Sequence, residues 1–165
     1  MVALDTGETA PDFSLQAMDG NLFSLKDALA RGPVVAVFFK ISCPTCQYAL
    51  PFLDRLHKAY GAKGAMIVGI SQNGSKDTAS FSKHFGITYP IVLDDTNTYP
   101  VSNAYGLTNV PTTFWIGQDG EIEISSVGWD RSDFEQINAK MAETTRRGVV
   151  PIFQPGENVA AFRAG

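Results

Sequence analysis

The two cysteines of the chain, Cys43 and Cys46, are separated by two residues and stand between an apolar run and an amphipathic run. The 165 residues hold no other cysteine, and chance would produce this separation in roughly one chain of this length in a hundred. The apolar run, residues 33–39, indicates a buried strand, and the amphipathic run, residues 47–60, indicates a helix. The pattern therefore predicts a redox-active dithiol at a strand-to-helix junction.

The composition is that of one globular domain. Hydrophobic residues make up 44% of the chain and charged residues 18%, which excludes the polar excess of a disordered protein. The formal net charge is -4 and the basic residues are dispersed, so we expect no nucleic acid and no anionic membrane surface as a partner. A zinc site would need His57 and His84 as additional ligands, and their spacing is unlike that of a zinc finger. We therefore expect no metal, and nothing in the chain implies a flavin or nucleotide cofactor.

The N-terminal segment bears on the compartment in which the protein works. Residues 1–8 show neither the basic region nor the apolar region of a secretory signal. The visible sequence therefore predicts a cytoplasmic protein. A periplasmic or other extracytoplasmic location is the alternative, if a leader has been removed.

The order of predicted elements describes an α/β protein with a mixed sheet. Strands are predicted as a hairpin over residues 11–25 and as single strands over 34–39, 65–70, 90–93, 110–116 and 121–127. Helices are predicted over residues 25–30, 43–60, 76–85, 98–105 and 130–145. Periodicity ends after Arg147, so we expect a domain over residues 1–147 and an ordered or semi-ordered tail over 148–165.

Several residues are predicted to begin, end or bend the helices. Ser24 is suited to cap the first helix, and either Asp130 or Ser132 to cap the last. Gly86 is suited to end the third helix. Pro51 lies inside the second helix, where it removes a backbone donor, and we expect a kink there.

The dithiol requires two cysteines with different properties. Only a thiolate exchanges with a disulfide, and a helix N-terminus stabilises the negative charge of that thiolate. Cys43, at the N-cap or in the first turn, is therefore the predicted nucleophile, and Cys46, one turn further along, is the predicted resolving thiol. Pro44 suits an early helical position, and with Thr45 it should tune the redox potential. The alternatives are that both cysteines are inert core residues, or that they bind a metal.

Other motifs of the chain resemble the thioredoxin-like redoxins, above all the TlpA- and ResA-type thiol-disulfide oxidoreductases and their relatives in the alkyl hydroperoxide reductase and thiol-specific antioxidant superfamily. The motifs are Gly7-Glu-Thr-Ala-Pro-Asp-Phe13, Asp19-Gly20, residues 38–46, Pro51 and residues 105–114. The resemblance extends from about Gly7 to Asn138. It implies a thioredoxin-like fold with a central mixed sheet flanked by helices, an N-terminal hairpin extension and a helix-strand insertion over residues 71–107.

The same resemblance implies how substrate is held. In similar proteins the proline that corresponds to Pro111 is in cis and lies against the two cysteines, and the residue before it, here Val110, binds substrate backbone as an added strand. Val110 and Pro111, with Pro44 and Thr45, are therefore the expected substrate-binding residues. The expected partners are protein or small thiol and disulfide substrates and an upstream redox partner. We expect the protein to act as a monomer or weak dimer.

The chain departs from these families at three positions near the cysteines. Similar enzymes commonly have an aromatic residue directly before the first cysteine, where this chain has Ser42. ResA-like proteins have a glutamate at the position of Ala49, and thioredoxin has an aspartate at the position of Val37. Proton transfer at Cys46 is therefore expected to use water, Lys40 or a carboxylate that the sequence does not identify.

Two other functions are consistent with the sequence. A peroxiredoxin-like thiol peroxidase would use Cys46 as its single attacking cysteine, but Phe39 and Cys43 then replace the proline and the threonine or serine of the peroxidase motif. A non-catalytic redoxin could instead use Phe153 and Phe162 of the tail as protein contacts. Packing of these two aromatic residues against the domain is the simpler expectation.

Overall fold

Nine strands and five helices make up the described part of the chain. The computed structural model describes residues 2–61 and 65–165. The strands are β1 (Ser14–Gln16), β2 (Leu22–Ser24), β3 (Val34–Phe39), β4 (Met66–Ser71), β5 (Ile91–Leu93), β6 (Thr112–Ile116), β7 (Ile122–Val127), β8 (Trp129–Asp130) and β9 (Phe162–Arg163). The helices are α1 (Leu25–Leu29), α2 (Pro44–Tyr60), α3 (Ser75–Phe85), α4 (Pro100–Ala104) and α5 (Arg131–Thr145).

The central sheet has five strands in the order β5-β4-β3-β6-β7. Strand β3 is central, parallel to β4 and antiparallel to β6. Strand β5 is parallel to β4, and β7 closes the other edge as an antiparallel hairpin with β6. The predicted α/β class and mixed sheet are therefore confirmed. The inserted segment supplies α3, the edge strand β5 and α4.

Strand β3 is central because its residues are apolar on both faces. All six of its side chains are fully buried. One face carries Val35, Val37 and Phe39 and packs with the apolar residues of α2 and α5. The opposite face packs with the N-terminal hairpin, α1 and Tyr105. A parallel strand covered on both faces requires such a continuous apolar run.

Local capping signals were good predictors of the helix ends. The hydroxyl of Ser24 accepts a hydrogen bond from the backbone N–H of Asp27 at 3.2 Å. The carboxylate of Asp130, rather than the Ser132 hydroxyl, caps α5 by accepting from the N–H of Asp133 at 3.0 Å. Gly86 ends α3 in the left-handed conformation. Each of these interactions lies within a few residues of the chain, and so depends little on the rest of the fold.

Strand β6 and helix α4 each begin two residues later than the sequence predicts. Strand β6 begins at Thr112 rather than at residue 110, because Pro111 has no N–H to donate to a neighbouring strand. Helix α4 covers only 100–104, since Tyr99 has a φ of 49° and Pro100 takes the first helical position. Pro51 lies inside α2, which is continuous, and its kink stays a prediction. No helix among the described residues is both long and apolar enough to cross a membrane.

The tail, residues 148–165, packs along the domain. Phe153 contacts the rings of Phe52 and Trp129, with centroids 5.4 and 6.1 Å away. Strand β9 pairs with β8 in a two-stranded antiparallel ladder. The predicted packing of Phe153 against the domain is therefore confirmed. The same prediction for Phe162 is wrong, because 60% of that residue is exposed. The predicted boundary at residue 147 stays a prediction.

An ion pair with two hydrogen bonds holds the middle of the tail to α2. The guanidinium of Arg55 donates to both carboxylate oxygens of Glu157, at 2.7 and 2.8 Å, and to the carbonyl of Ile152 at 3.0 Å. Hydrogen bonding to Arg55, and then to the backbone of Gln154, lowers the pKa of Glu157 to about 2. The ionised carboxylate of Glu157 therefore stabilises the packing of the tail against α2.

This ion pair predicts a pH-dependent contribution to stability. Because the folded pKa of Glu157 is depressed, the contribution is present above the unfolded pKa of about 4.3 and is lost as pH falls through about 2. The difference in free energy of unfolding between the wild type and Glu157→Gln should therefore be largest above about pH 5 and fall towards its minimum as pH drops through about 2. Urea unfolding of both proteins at several pH values between about 2 and 7 measures this difference. A difference that stays constant with pH would contradict the assignment.

Candidate active site

Cys43 is the N-cap residue of α2, as the sequence predicts. Its backbone is extended, with φ of -84° and ψ of 115°, and Pro44 follows at the first helical position. The backbone N–H of Cys46 donates to the sulfur of Cys43 at 3.1 Å. A backbone N–H and the positive end of a helix dipole both stabilise negative charge that develops on a sulfur during disulfide exchange.

Cys46 lies one turn further along and differs sharply from Cys43. Its side chain is fully buried, whereas Cys43 is partly exposed. Burial, followed by the contact with Cys43, raises the pKa of Cys46 well above its ordinary value, and a backbone hydrogen bond at Lys40 opposes this only in part. Cys46 therefore keeps its proton while Cys43 is accessible for attack.

The loop before β6 lies beside the cysteine pair. The peptide bond between Val110 and Pro111 is cis, which confirms the isomer implied by the resemblance. The thiol of Cys43 donates to the carbonyl oxygen of Val110 at 3.4 Å. Val110 is half-buried and Pro44 is exposed, so both border the accessible side of Cys43. Their role in substrate binding stays a prediction.

The face of the sheet beneath α2 has no acid at the two positions that the sequence comparison singled out, and its polar groups are two buried hydroxyls on other strands. Val37 and Ala49 are fully buried and apolar. Thr113 lies opposite Val37 on β6, and Ser126 lies opposite Thr113 on β7. Within the described residues neither buried hydroxyl has a partner with hydrogen-bond geometry. Burial raises the pKa of the nearby Asp133 carboxyl, and Ser126 opposes this only in part. Polarity on this face therefore comes from β6 and β7.

The other predicted residues near the pair lie at the surface. The side chain of Lys40 is exposed at the end of β3, while its carbonyl accepts a hydrogen bond from the N–H of Cys43 at 3.3 Å. Ser42 is also exposed, where similar enzymes have an aromatic ring. Within residues 2–61 and 65–165, no three His, Cys, Asp or Glu side chains converge as ligands for a metal. A proton-transfer role for Lys40 stays a prediction.

The end of the tail covers one side of the cysteine pair. The hydroxyl of Thr45 donates to the carbonyl of Ala164 at 2.6 Å, and Thr45 is only 6% exposed. Gly165 lies so close to Val110 that a Cβ added to it would overlap the Val110 carbonyl oxygen. The amide of Asn109 donates to the carbonyl of Gly165 at 3.4 Å. Thr45, predicted to contact substrate, is thus in contact with the tail.

The residues that precede this end are held by two aromatic side chains. The hydroxyl of Tyr48 accepts from the N–H of Ala160 at 3.0 Å, and the indole N–H of Trp129 donates to the carbonyl of Ala160 at 2.7 Å. The guanidinium of Arg163 lies over the Tyr48 ring, 4.5 Å from its centroid. The tail is therefore anchored at Ala160 and again at Arg163, within its last six residues.

Sequence reasoning missed the position of the tail. The bond from Thr45 to Ala164 joins residues 119 positions apart, and the tail has no periodic pattern that would show such a contact. The available signal was the polar tips of Tyr48 and Trp129, because a buried tyrosine hydroxyl or indole N–H requires a hydrogen-bond partner. That signal indicates that a partner exists without identifying it.

Comparison with known proteins agrees with this geometry. Residues 6–125 match the AhpC/TSA family. The thiol-disulfide oxidoreductase ResA of Geobacillus thermodenitrificans is 34% identical over 122 residues, which cover 73% of this chain and 68% of the relative.

Solved structures share the fold. The thioredoxin domain of a thiol-disulfide oxidoreductase from Bacteroides vulgatus superposes with a TM-score of 0.74 at 23% identity, covering 84% of this chain and 98% of the other. Peroxidoxin BcpB of Mycobacterium tuberculosis superposes with a TM-score of 0.69 at 26% identity, covering 87% and 97%. The thioredoxin-like fold is therefore confirmed. The chain belongs to the AhpC/TSA family and is similar to the thiol-disulfide oxidoreductases named ResA.

Proposed function

We propose that this protein is a thiol-disulfide oxidoreductase that uses Cys43 as its nucleophile and Cys46 as its resolving thiol. The observation that carries the proposal is the inequality of the two sulfurs. Cys43 is partly exposed and accepts a hydrogen bond at a helix N-terminus, whereas Cys46 is fully buried one turn away. The similarity to ResA, which is named as a thiol-disulfide oxidoreductase, supports the same activity.

The reaction proceeds as two exchanges between sulfur atoms. The Cys43 thiolate attacks a substrate disulfide, forms a mixed disulfide with one sulfur and releases the other as a thiolate, which takes up a proton. Cys46 then attacks the Cys43 sulfur, which forms the Cys43–Cys46 disulfide and releases the second substrate sulfur as a thiolate. The proton of Cys46 passes through water to that departing thiolate. Two electrons pass from the dithiol to the substrate. An upstream dithiol donor restores the pair by the reverse steps.

The substrates are disulfides of proteins or small molecules, and the exposed side of Cys43 is where they bind. The carbonyl of Val110 lies beside that sulfur, Pro111 follows Val110, and Pro44 and Thr45 follow Cys43 in the chain. These four residues are the substrate-binding residues of this scheme, with the backbone at Val110 receiving an extended substrate segment. The protein acts as a monomer or weak dimer in this scheme, because a single chain supplies both cysteines.

The burial of Cys46 argues against a peroxidase that attacks through this residue. Peroxide would have to reach a fully buried sulfur whose pKa is raised by that burial, so little of it is thiolate. The residues that the peroxidase motif requires are replaced by Phe39 and Cys43. We therefore expect peroxide consumption no faster than that of a simple dithiol, and rapid oxidation centred on Cys46 would favour the peroxidase instead.

Replacing the resolving cysteine should trap the reaction halfway. In Cys46→Ser the first exchange proceeds but the second lacks its thiol, so a mixed disulfide between Cys43 and substrate should accumulate. Non-reducing electrophoresis and mass spectrometry of the reduced variant after mixing with oxidised insulin detect this species. Cys46→Ala repeats the test with an apolar replacement in the buried position. A folded variant of either kind that turns over like the wild type would refute the assigned roles.

A further inference from the structure

The end of the tail lies where a substrate strand would bind. If a substrate segment adds to the edge at Val110, its backbone needs the space beside the Val110 carbonyl. Gly165 occupies that space. It lies so close to the Val110 carbonyl that a methyl group on its Cα would overlap the carbonyl oxygen. The carbonyls of Ala164 and Gly165 already accept hydrogen bonds from Thr45 and Asn109. An extended protein segment and the seated tail therefore compete for one site.

From this competition we propose that residues 161–165, which we call the terminal segment, select the substrate of the dithiol. While the terminal segment is seated, small disulfides reach Cys43 and extended segments of proteins do not. Protein disulfides react only after the terminal segment lifts from Val110 and Thr45. This inference rests on the proposed disulfide exchange and names the class of substrate that the seated form accepts.

Access for small molecules remains when the terminal segment is seated. Cys43 keeps part of its surface exposed under these conditions. A cleft also borders the Val110 loop on the side of β3, and it is lined by Lys40, Gln72, Leu107, Thr108, Asn109 and Val110. Its polar lining and the exposed ammonium of Lys40 suit a small disulfide that carries carboxylates. The exposed part of Cys43 and the neighbouring cleft therefore leave room for a small disulfide while the terminal segment is seated.

The terminal segment is attached by a short ladder and a few single contacts, among them a hydrogen bond from the N–H of Arg131 to the carbonyl of Ala161 at 2.9 Å. Glu157 and Ala160 are held by several hydrogen bonds to side chains of the domain. Beyond them, β9 is a ladder of two residues, and Phe162 within it is exposed. The polar bond closest to the dithiol is the one from Thr45 to Ala164. A short ladder with exposed side chains belongs to the low-stability end of a structure, so the terminal segment can lift while the domain stays folded.

A glycine-to-alanine pair tests the proposal. In Gly165→Ala the new methyl overlaps the Val110 carbonyl, so the terminal segment has to shift. Gly148→Ala is the matched control in the same tail, because no described atom lies within 4 Å of the position of its methyl. The reduced proteins are mixed in single-turnover assays with oxidised insulin, as a protein disulfide, and with 5,5′-dithiobis(2-nitrobenzoic acid), as a small disulfide with carboxylates.

We expect Gly165→Ala to raise the rate with insulin by about fivefold, the effect of losing one hydrogen bond that holds the seated form. The rate with the small disulfide should stay within about twofold, and Gly148→Ala should match the wild type with both. Arg163→Ala, which removes the guanidinium from the Tyr48 ring, should shift the ratio of rates in the same direction. An unchanged ratio in both variants would overturn the proposal.

Alkylation of Cys43 gives a second readout that needs no exchange. Gly165→Ala should react faster than the wild type with a maleimide that carries a long polyethylene glycol chain, and equally fast with iodoacetamide. Equal acceleration with both reagents would overturn the size selection, because it would show a change in the thiol rather than in access. Failure of the wild type to exchange with either disulfide would overturn the proposed function itself, whereas normal exchange with an unchanged ratio would overturn only the role of the terminal segment.

Discussion

Replacing Cys43 by serine is expected to lower the rate of insulin disulfide reduction by on the order of 10³-fold or more, to the rate of the reaction without protein. A serine hydroxyl at neutral pH is not ionised and cannot form a mixed disulfide. Cys46, which remains, is fully buried and holds its proton because burial raises its pKa. The exposed position then has no sulfur, and the remaining sulfur is neither accessible nor ionised.

The control for this variant is Ser42→Ala, which changes the exposed neighbour of Cys43 and leaves both thiols in place. It should retain activity close to that of the wild type. Serine at position 43 preserves an oxygen that accepts from the N–H of Cys46, as the sulfur does, so α2 keeps a cap. Loss of activity in a folded Cys43→Ser protein would therefore report chemistry rather than unfolding. Turnover by this variant at the rate of the wild type would refute the mechanism.

Replacing Trp129 by alanine is expected to produce the largest loss of stability, about 3–5 kcal/mol in the free energy of unfolding. The indole is fully buried. It contacts the rings of Tyr48, Phe52, Phe134 and Phe153, with centroids between 4.4 and 6.1 Å away. These rings belong to α2, α5 and the tail, so the resulting cavity would weaken three segments together. Urea unfolding followed by circular dichroism measures the change.

A second substitution separates the ring of Trp129 from its polar tip. Trp129→Phe keeps most of the aromatic contacts and removes the N–H that donates to Ala160, so its cost should be smaller, with an added rise in alkylation of Cys43 by large reagents. Phe162→Ala is the matched control, because this ring is mostly exposed and should change stability by less than about 0.5 kcal/mol. A loss for Trp129→Ala no greater than that of the control would contradict the central packing of the indole.

The parts of this protein that could be predicted from sequence depend on neighbouring residues. Because β3 consists of six consecutive apolar residues, it must lie where the sheet is covered on both faces. Ser24 caps α1 through a residue three positions away, and Gly86 ends α3 through its own backbone conformation. The same holds for Cys43, which caps α2 because a proline and an amphipathic run follow it and define the start of the helix.

Errors arose where the conformation depends on distant contacts or on the backbone of a single residue. Helix α4 was expected to begin before Pro100, and the left-handed backbone of Tyr99 prevents it. Phe162 was expected to pack against the domain, and it is exposed because β9 directs its neighbour Arg163 onto the Tyr48 ring. No pattern in residues 148–165 distinguished a packed tail from a loose one.

The sequence by itself determined the class of fold and the position of the dithiol at the start of α2, because strand burial and helix capping are local consequences of residue type. The tertiary structure alone decided that the end of the tail lies against Thr45 and Val110. The physical reason is that the tail contributes only backbone carbonyls and a close glycine approach to these contacts, and their partners lie far away in the chain. Every residue has a backbone carbonyl, so the sequence of the tail does not show which carbonyls will accept these hydrogen bonds.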